Sequence, residues 1–324
     1  MLAHVLRRLA QSVAVLFVMS LLVFAGIYAV GNPVDMLINP QADQAEIART
    51  TAALGLDKPL IEQYFVFLKD AASGDLGNSF TFNVPAIRLI LERLPATLEL
   101  ATTAMLVAVL LGIPLGLWAG LKPHSPAGKT IMAGSILGFS LPTFWVGLML
   151  IMVFSVWLGW LPASGRGPTA DLLGIPVSFL SLEGLRHLIL PAANLALFNL
   201  ALVIRLTRSG TREAVQQDYV RFARAKGLAE TRIVGVHVLR NVLVPIITVV
   251  GVEFGSVIAF AVVTESIFAW PGMGKLLIDS INVLDRPVIV GYLCIVVTLF
   301  VSINLVVDLL YAWLDPRVRL GEPA

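Results

Sequence analysis

Residues 100–121 read LATTAMLVAVLLGIPLGLWAGL, a run without a single charged side chain. A helix needs roughly 17–25 mainly apolar residues to cross the hydrocarbon core of a bilayer, so this run is long enough to span a membrane. Further apolar runs of similar length predict five more spans, over 12–30, 131–158, 188–204, 242–264 and 288–307. Pro142 predicts a kink or tilt in the span over 131–158, which we count as one crossing.

The composition agrees with a membrane protein. Of the 324 residues, 57% are hydrophobic and 14% are charged, against about 45–50% and 25% in a soluble globular chain. The mean hydropathy is +0.87. The net charge of +2 argues against a strongly basic nucleic-acid-binding protein, and the single cysteine, Cys294, has no partner for an internal disulfide. We expect one all-α transmembrane domain over 1–324, whose first apolar run is too long for a signal peptide and remains as a span.

Lysine and arginine are distributed unevenly over the loops. Six spans place both termini on one side, and the loops of that side carry 14 of the 23 Lys and Arg although they are shorter in total. Because positive residues accumulate in cytoplasmic loops, we expect both termini in the cytoplasm. The predicted outer loops are 32–96, 159–187 and 265–287, with short helices over 45–54 and 59–68 in the first. The largest predicted cytoplasmic loop is 205–241.

Small residues recur at intervals of four in two of the spans, which places them on one face of each helix. They are Ala104, Ala108, Gly112, Gly116 and Gly120 in the second span, and Gly251, Gly255 and Ala259 in the fifth. Small residues let neighbouring backbones approach closely in lipid, so we predict tight helix packing at both faces. The alternative is a face that slides during a transport cycle.

Three acidic residues fall within the predicted spans. Glu99 and Asp308 lie near span ends, where we expect them to be solvated, and Asp308 could also accept a hydrogen bond from Asn304. Glu253 lies half way along its span, so we expect it to face a water-filled pathway or a partner subunit. No ladder of carboxylates accompanies it, which argues against a carrier driven by protons or sodium ions.

The loop between the fourth and fifth spans is basic and amphipathic. Residues 205–240 read RLTRSGTREAVQQDYVRFARAKGLAETRIVGVHVLR, with 8 Lys or Arg and 3 acidic residues. We predict a helix with Val215, Tyr219 and Phe222 on one face, ended by Gly227, and a second short helix over 230–239. An exposed amphipathic helix of this kind suits docking into a groove of a partner protein.

This loop resembles the EAA loop of the permease subunits of ABC importers. The resemblance lies in EAV from Glu213, ARAKGL from Ala223 and LRNVLVP from Leu239, with Val215 where the family often has alanine. Other motifs resemble the dipeptide, oligopeptide and nickel branch of that family. They are LGLDKPL from Leu54, GDLGNS from Gly74, LPATLEL from Leu94, FAWPGMG from Phe268, and DLL from Asp308 through DPR from Asp315.

The resemblance implies a permease of the type I importer fold in a bacterial cytoplasmic membrane. It implies a second, related permease, two ATPase subunits and an external substrate-binding protein as partners. ATP and Mg²⁺ would be bound by the ATPases, so we expect no cofactor on this chain and no enzymatic activity. The residues it assigns to ATPase coupling are Glu213, Ala214, Asp218, Tyr219, Arg221, Ala223, Ala225, Lys226, Gly227 and Leu228.

Peptides are the substrates we expect first, with a nickel chelate or glutathione-type solute as the alternative in the same branch. The four histidines are scattered and show no metal-ligand spacing, which disfavours a metal site. Residues 123–130 nearly match a phosphate-binding loop, but Pro123 replaces its first glycine and the segment joins two spans. A stand-alone carrier remains as an alternative from another class.

Overall fold

The computed structural model describes residues 2–29, 49, 51–52 and 57–314, and within them the chain is mainly helical. The helices are α1 (Leu2–Ala29), α2 (Leu60–Ser73), α3 (Ala86–Leu121), α4 (Pro126–Ser140), α5 (Thr143–Leu150), α6 (Leu182–Val215), α7 (Asp218–Ala225), α8 (Glu230–Arg232), α9 (Leu239–Ile267), α10 (Met273–Asn282) and α11 (Arg286–Leu314). Two π-helices, π1 (Ile151–Trp157) and π2 (Ile233–Val238), and an antiparallel hairpin of β1 (Ala170–Leu172) and β2 (Ile175–Val177) complete the described elements.

Five helical segments are long and apolar enough to cross a membrane, and they match five of the six predicted spans. They are Leu6–Gly26, Ala86–Leu121, Leu182–Val215, Glu230–Ile267 and Arg286–Leu309. The helix predicted over 59–68 is confirmed as α2. The prediction over 45–54 and the DPR motif from Asp315 lie outside the described residues, apart from positions 49, 51 and 52.

The third predicted span is a bent pair of helices. The helical segments Pro126–Ser140 and Thr143–Trp157 meet at 109°. Leu141, between them, has extended backbone angles (φ −83°, ψ 135°), the conformation that a following proline favours. The predicted kink at Pro142 is therefore confirmed, and a bend of 109° divides the expected kinked or tilted helix into two helices.

Several helices extend beyond the apolar runs that predicted them. α3 begins at Ala86, before the start predicted at 100, and α6 continues to Val215, beyond the end predicted at 204. The helices therefore reach into the predicted loops 32–96 and 205–241, whose bounds relative to the membrane stay predictions. A charged residue ends the apolar run of a span but does not end the helix, whose backbone continues past it. We name the two ends of the bundle the Gly227 end and the Trp270 end, after residues that precede and follow α9.

The glycines of α3 pack directly against α6. A Cβ atom on Gly112 would collide with Val203, one on Gly116 with Thr207, and one on Gly120 with Thr211. In the same way, a Cβ atom on Gly251 or Gly255 of α9 would collide with Val307 or Phe300 of α11. Both faces of small residues are therefore helix-packing faces, as predicted.

Candidate functional site: the Gly227 segment and the charged groups of the spans

The segment between α6 and α9 begins with a break in the helix. α6 ends at Val215, Gln216 and Gln217 follow, and α7 starts at Asp218. Val215 therefore belongs to a different helix from Tyr219 and Phe222, so the single predicted face that joined these three residues is wrong.

Gly227 ends α7, as predicted. The Gly227 N–H donates to the Arg224 carbonyl at 2.9 Å, and the Leu228 N–H donates to the Ala223 carbonyl at 3.3 Å. These two bonds form a Schellman motif, which requires a left-handed residue after the helix end. Gly227 supplies it with φ +74°, and no atom lies within 4 Å of the position that a Cβ would occupy. The requirement at Gly227 is therefore one of backbone conformation and not of space.

The second short helix differs from the prediction over 230–239. Only Glu230–Arg232 is α-helical, and π2 leads from there directly into α9. The Arg224 guanidinium donates to Glu230 with an Nε–Oε1 distance of 2.7 Å, across the turn at Gly227. This hydrogen bond raises the pKa of Arg224 above its ordinary value.

The inner side of α7 is packed against the end of α6 and against π2, the π-helix that leads into α9. Val220 and Ala223 are buried there in an apolar cluster. Its other buried members are Val203, Ala214, Ile233, Val238, Val242 and Ile246. This cluster packs α7 together with the end of α6 and the start of α9.

The outer side of α7 carries exposed aromatic and basic groups. Phe222 is 62% exposed and Tyr219 is 40% exposed. The Lys226 ammonium lies 4.5 Å from the centre of the Phe222 ring, and the Asn241 side chain donates to the Tyr219 hydroxyl at 2.8 Å. Of the predicted coupling residues, Ala214 and Ala223 are buried and Leu228 is half-buried. The exposed ones are Glu213, Asp218, Tyr219, Arg221, Ala225, Lys226 and Gly227.

Glu99 is buried near the Trp270 end and not solvated, contrary to our expectation. Its Oε2 accepts from Arg166 Nη2 at 2.5 Å and Nε at 3.0 Å, and its Oε1 accepts from the Ser178 N–H and hydroxyl at 2.6 and 2.7 Å. The carboxylate thereby fixes the segment that carries the hairpin against α3. Sequence patterns gave no signal for this pairing, because its partners are distant in the chain.

Glu265 is a second buried carboxylate, which the sequence analysis missed because it lies one residue beyond the predicted span. It is fully buried, and its Oε2 accepts from the Lys275 N–H in the first turn of α10 at 3.0 Å. A Cβ on Gly272 or Gly274 would collide with the carboxylate. The glycines of the FAWPGMG motif therefore bring the backbone at the start of α10 against Glu265.

Two other branch motifs, LPATLEL and GDLGNS, also make contacts near the Trp270 end. Trp270 Nε1 donates to the Ala96 carbonyl of the LPATLEL motif at 2.9 Å. Ser79 of the GDLGNS motif donates through its hydroxyl to Asp285, just before α11. These motifs join α3, α9, α10 and α11 to one another, so their visible role is in packing.

The two other acidic residues of the predicted spans, Asp308 and Glu253, differ in their contacts. Asp308 forms an ion pair with Arg8 of α1 at 3.0 Å, and no bond to Asn304 is present. Glu253 is half-buried in α9 and makes neither a hydrogen bond nor an ion pair with the described part of the chain. Its expected place beside a pathway stays a prediction. Among the described residues, no group of three or more His, Cys, Asp or Glu side chains could hold a metal ion.

Comparison with known proteins agrees with this architecture. Residues 112–320 match the model of the family described as binding-protein-dependent transport system inner membrane component, and residues 1–101 match that of the N-terminal part of such membrane components. The di/tripeptide transport system permease protein DppB of Pseudomonas aeruginosa is 43% identical, and the alignment covers 98% of this chain and 99% of that protein. The dipeptide transport system permease protein DppB of Escherichia coli K12 is 38% identical, with the same coverage.

Two solved structures share the fold at low sequence identity. A methionine ABC transporter, MetNI, in an inward-facing conformation aligns with a TM-score of 0.55 and 14% identity, over 70% of this chain and 96% of its own. An amino acid ABC transporter aligns with a TM-score of 0.50 and 17% identity, over 71% and 94%. The chain belongs to the family of binding-protein-dependent transport system inner membrane components, the permease subunits of ABC transporters.

Proposed function

We propose that this chain is a translocating subunit of an ATP-driven importer of dipeptides and short oligopeptides. The names of relatives that are 38–43% identical over nearly the full chain support this substrate class. A carrier that works alone is disfavoured because relatives of this family work in binding-protein-dependent systems.

The observation that carries the proposal is the exposed side of α7. Phe222 is exposed, and Tyr219 is partly exposed, on a short helix whose opposite side is packed on α6 and π2. An exposed aromatic pair beside basic side chains suits a groove on a second protein, since aromatic anchors dominate protein interfaces. We assign this groove to an ATPase subunit, and we assign the coupling role to the predicted residues from Glu213 to Leu228.

The proposed cycle uses this contact as a mechanical link. ATP brings two ATPases together and α7 moves with them. α6 and α9 follow, because Val220 and Ala223 belong to one packed cluster with residues of α6, π2 and α9. The pathway then opens toward an external binding protein, and hydrolysis resets it. ATP and Mg²⁺ belong to the ATPases in this scheme, and this chain supplies no cofactor site.

The remaining elements of the proposal concern topology and partners. The bent helix pair counts as one span, which gives six spans, and the Gly227 end and both termini lie in the bacterial cytoplasm. The excess of Lys and Arg in those loops supports this orientation. The chain, as one domain over 1–324, pairs with a second related permease in the inner membrane. Nucleic acid has no part in the proposed function.

The proposal is tested by affinity purification in mild detergent, with mass spectrometry of the co-purifying proteins. The expected partners are two ATPases and a second permease. Gly227→Val tests the link itself, because valine at φ +74° is strained although the space is open. We expect transport to fall while ATP hydrolysis continues. Gly134→Val is the matched control. At Gly134, as at Gly227, no atom lies within 4 Å of the position that a Cβ would occupy, but the φ angle of Gly134 is not left-handed. Purification of the chain without any ATPase, across several mild detergents, would contradict the proposal.

A further inference from the structure

Three arginines lie along one face of α6, toward the Gly227 end of the bundle. Arg205, Arg208 and Arg212 follow one another at intervals of three and four residues, which places them on one side of the helix. α6 packs on the glycines of α3 through a different side, which carries Thr207 and Thr211. The arginine face therefore does not form the contact with α3.

The arginine face has no acidic partner. None of the three arginines forms an ion pair or a hydrogen bond with a residue that the structure describes. The Nε atoms of Arg205 and Arg208 are buried and have no acceptor. Because a buried donor without an acceptor is costly, and more so when it carries charge, we expect an anionic ligand at this face.

The contacts between α3 and α6 give the depth of the arginine face. The two helices run side by side in the same direction, with Gly116 against Thr207 and Gly120 against Thr211. Arg208 lies between these two contacts. With a rise of 1.5 Å per residue, it is level with a part of α3 that lies within about 8 Å of the end of that helix.

This depth is that of a membrane interface. Trp118, on the same turns of α3, is exposed, and the Lys122 ammonium lies 4.7 Å from the centre of its ring. Exposed tryptophan and lysine side chains are typical of the boundary between the hydrocarbon core and the headgroups. Since the headgroup layer is about 5–8 Å thick on each side, the arginines lie within reach of lipid phosphates.

An open apolar surface adjoins the arginines on the side of the membrane centre. The central carbon of the Arg205 guanidinium is 4.3 Å from the centre of the Phe139 ring, which stacks on Phe198 at 4.9 Å. Phe198 precedes Arg205 by seven residues, so it lies about 10 Å farther from the Gly227 end. Both rings are exposed, as are Ile136 and Leu137 on the preceding turn of α4. Basic groups followed by an apolar surface match the order of headgroup and acyl chain in a phospholipid.

We propose that Arg205, Arg208 and Arg212 bind the phosphate of an anionic phospholipid whose acyl chains cover the rings of Phe139 and Phe198. The phosphate oxygens accept from the guanidinium groups, whose planar fork they match, and supply the acceptors that the buried Nε atoms lack. Basic pockets between membrane-spanning helices are a known type of site for anionic headgroups. The lipid belongs to the leaflet at the Gly227 end, and the inference does not depend on the proposed substrate.

The test uses the transporter complex, purified in mild detergent, and native mass spectrometry. Phosphatidylglycerol is the anionic probe and phosphatidylcholine the zwitterionic one, and titration with each lipid gives a Kd. The pair Arg205→Gln/Arg208→Gln removes the buried donors, and Arg205→Lys/Arg208→Lys keeps the charges without the forks. The pair Arg232→Gln/Arg240→Gln is the matched control, because it removes two exposed arginines from the same end of the bundle.

We expect the wild-type complex to bind phosphatidylglycerol at least about tenfold more tightly than phosphatidylcholine. Arg205→Gln/Arg208→Gln should weaken the binding of phosphatidylglycerol at least about tenfold and leave that of phosphatidylcholine within about twofold. The Lys pair should lie between the Gln pair and the wild type, since an ammonium keeps the charge but lacks the fork. The control pair should match the wild type within about twofold.

Equal affinity of the wild-type complex for the two lipids would overturn the inference, and this comparison decides the question even if the Gln pair does not accumulate. Unchanged binding of phosphatidylglycerol by Arg205→Gln/Arg208→Gln would also overturn it. An equal loss in the control pair would do the same, because it would show general attraction to positive charge.

Another subunit could cover the arginine face with an acidic side chain of its own. In that case, phosphatidylglycerol would bind to this chain alone but not to the complete complex, and the inference would be overturned. A failure of peptide transport would contradict the proposed function and would leave all of these lipid-binding outcomes unchanged.

Discussion

Thr97 of α3 donates its hydroxyl hydrogen to the buried carboxylate of Glu265 at 2.6 Å, and the same Thr97 oxygen accepts from the Met273 N–H at 2.9 Å. Glu265 also accepts from the Lys275 N–H, so one carboxylate and one hydroxyl connect α3, the end of α9 and the first turn of α10. The carboxylate lies where the positive end of the α10 dipole favours a negative charge.

Glu265→Ala is therefore expected to destabilise the protein by about 2–4 kcal/mol, because it leaves buried donors without an acceptor. Glu265→Gln should cost less, since an amide oxygen can still accept. Thermal unfolding in detergent measures both. Glu62→Gln, at an exposed position of α2, is the control and should leave the melting temperature unchanged. Equal melting temperatures for Glu265→Ala and the wild type would show that the network contributes nothing.

The buried ion pair of Glu99 and Arg166 gives a second prediction. Removal of one partner leaves the other charge uncompensated, so Glu99→Gln and Arg166→Gln should each destabilise by about 3–5 kcal/mol. The double variant should be more stable than the sum of the two single effects predicts. A double-mutant cycle of unfolding free energies checks this, and strictly additive effects would contradict the coupling.

Close packing of α3 on α6 predicts that Gly116→Leu is damaging. A side chain there collides with Thr207 and with the Ile204 carbonyl, which belongs to helical backbone and cannot move aside. We expect the amount of assembled protein in the membrane to fall severalfold, since overpacking costs about 1–3 kcal/mol or more. Gly134→Leu, where no atom lies within 4 Å of the Cβ position, is the matched control. Normal abundance of Gly116→Leu would refute the packing assignment.

Phe222 provides a prediction for the partner interface. Because its side chain is 62% exposed, Phe222→Ala should leave the fold intact but lower the recovery of ATPase subunits at least about tenfold in affinity purification. Phe65→Ala removes an equally exposed ring, 63% accessible, from α2 and should not change ATPase recovery. Undiminished ATPase binding by Phe222→Ala would exclude this side chain as an anchor.

The spans and the helix end at Gly227 could be predicted because their signals are local. An apolar run long enough to cross a bilayer is visible within about 20 residues. The helix end requires a glycine followed by an apolar residue, and Gly227 and Leu228 are adjacent in the sequence. The break at Gln216 and Gln217 carries neither glycine nor proline, so the predicted helix ran through it. Only the structure shows that Val220 and Ala223 form the packed side of α7.

The buried polar pairs could not be predicted because their partners are far apart in the chain. Thr97 lies 168 residues from Glu265, and Arg166 lies 67 residues from Glu99. Position near the end of an apolar run suggested a solvated Glu99, but that pattern contains no information about a loop that folds back over the residue. The sequence motifs around these residues were recognised, whereas their packing role required the fold.

The proposed function requires transport that is driven by ATP. The decisive measurement is uptake of radiolabelled dialanine into proteoliposomes that contain this chain with its co-purified permease and ATPase partners, the binding protein outside and ATP enclosed. We predict uptake that requires ATP, that falls in Gly227→Val, and that is unchanged in Gly134→Val. Uptake without ATP, driven by an ion gradient in vesicles that contain this chain alone, would contradict the account.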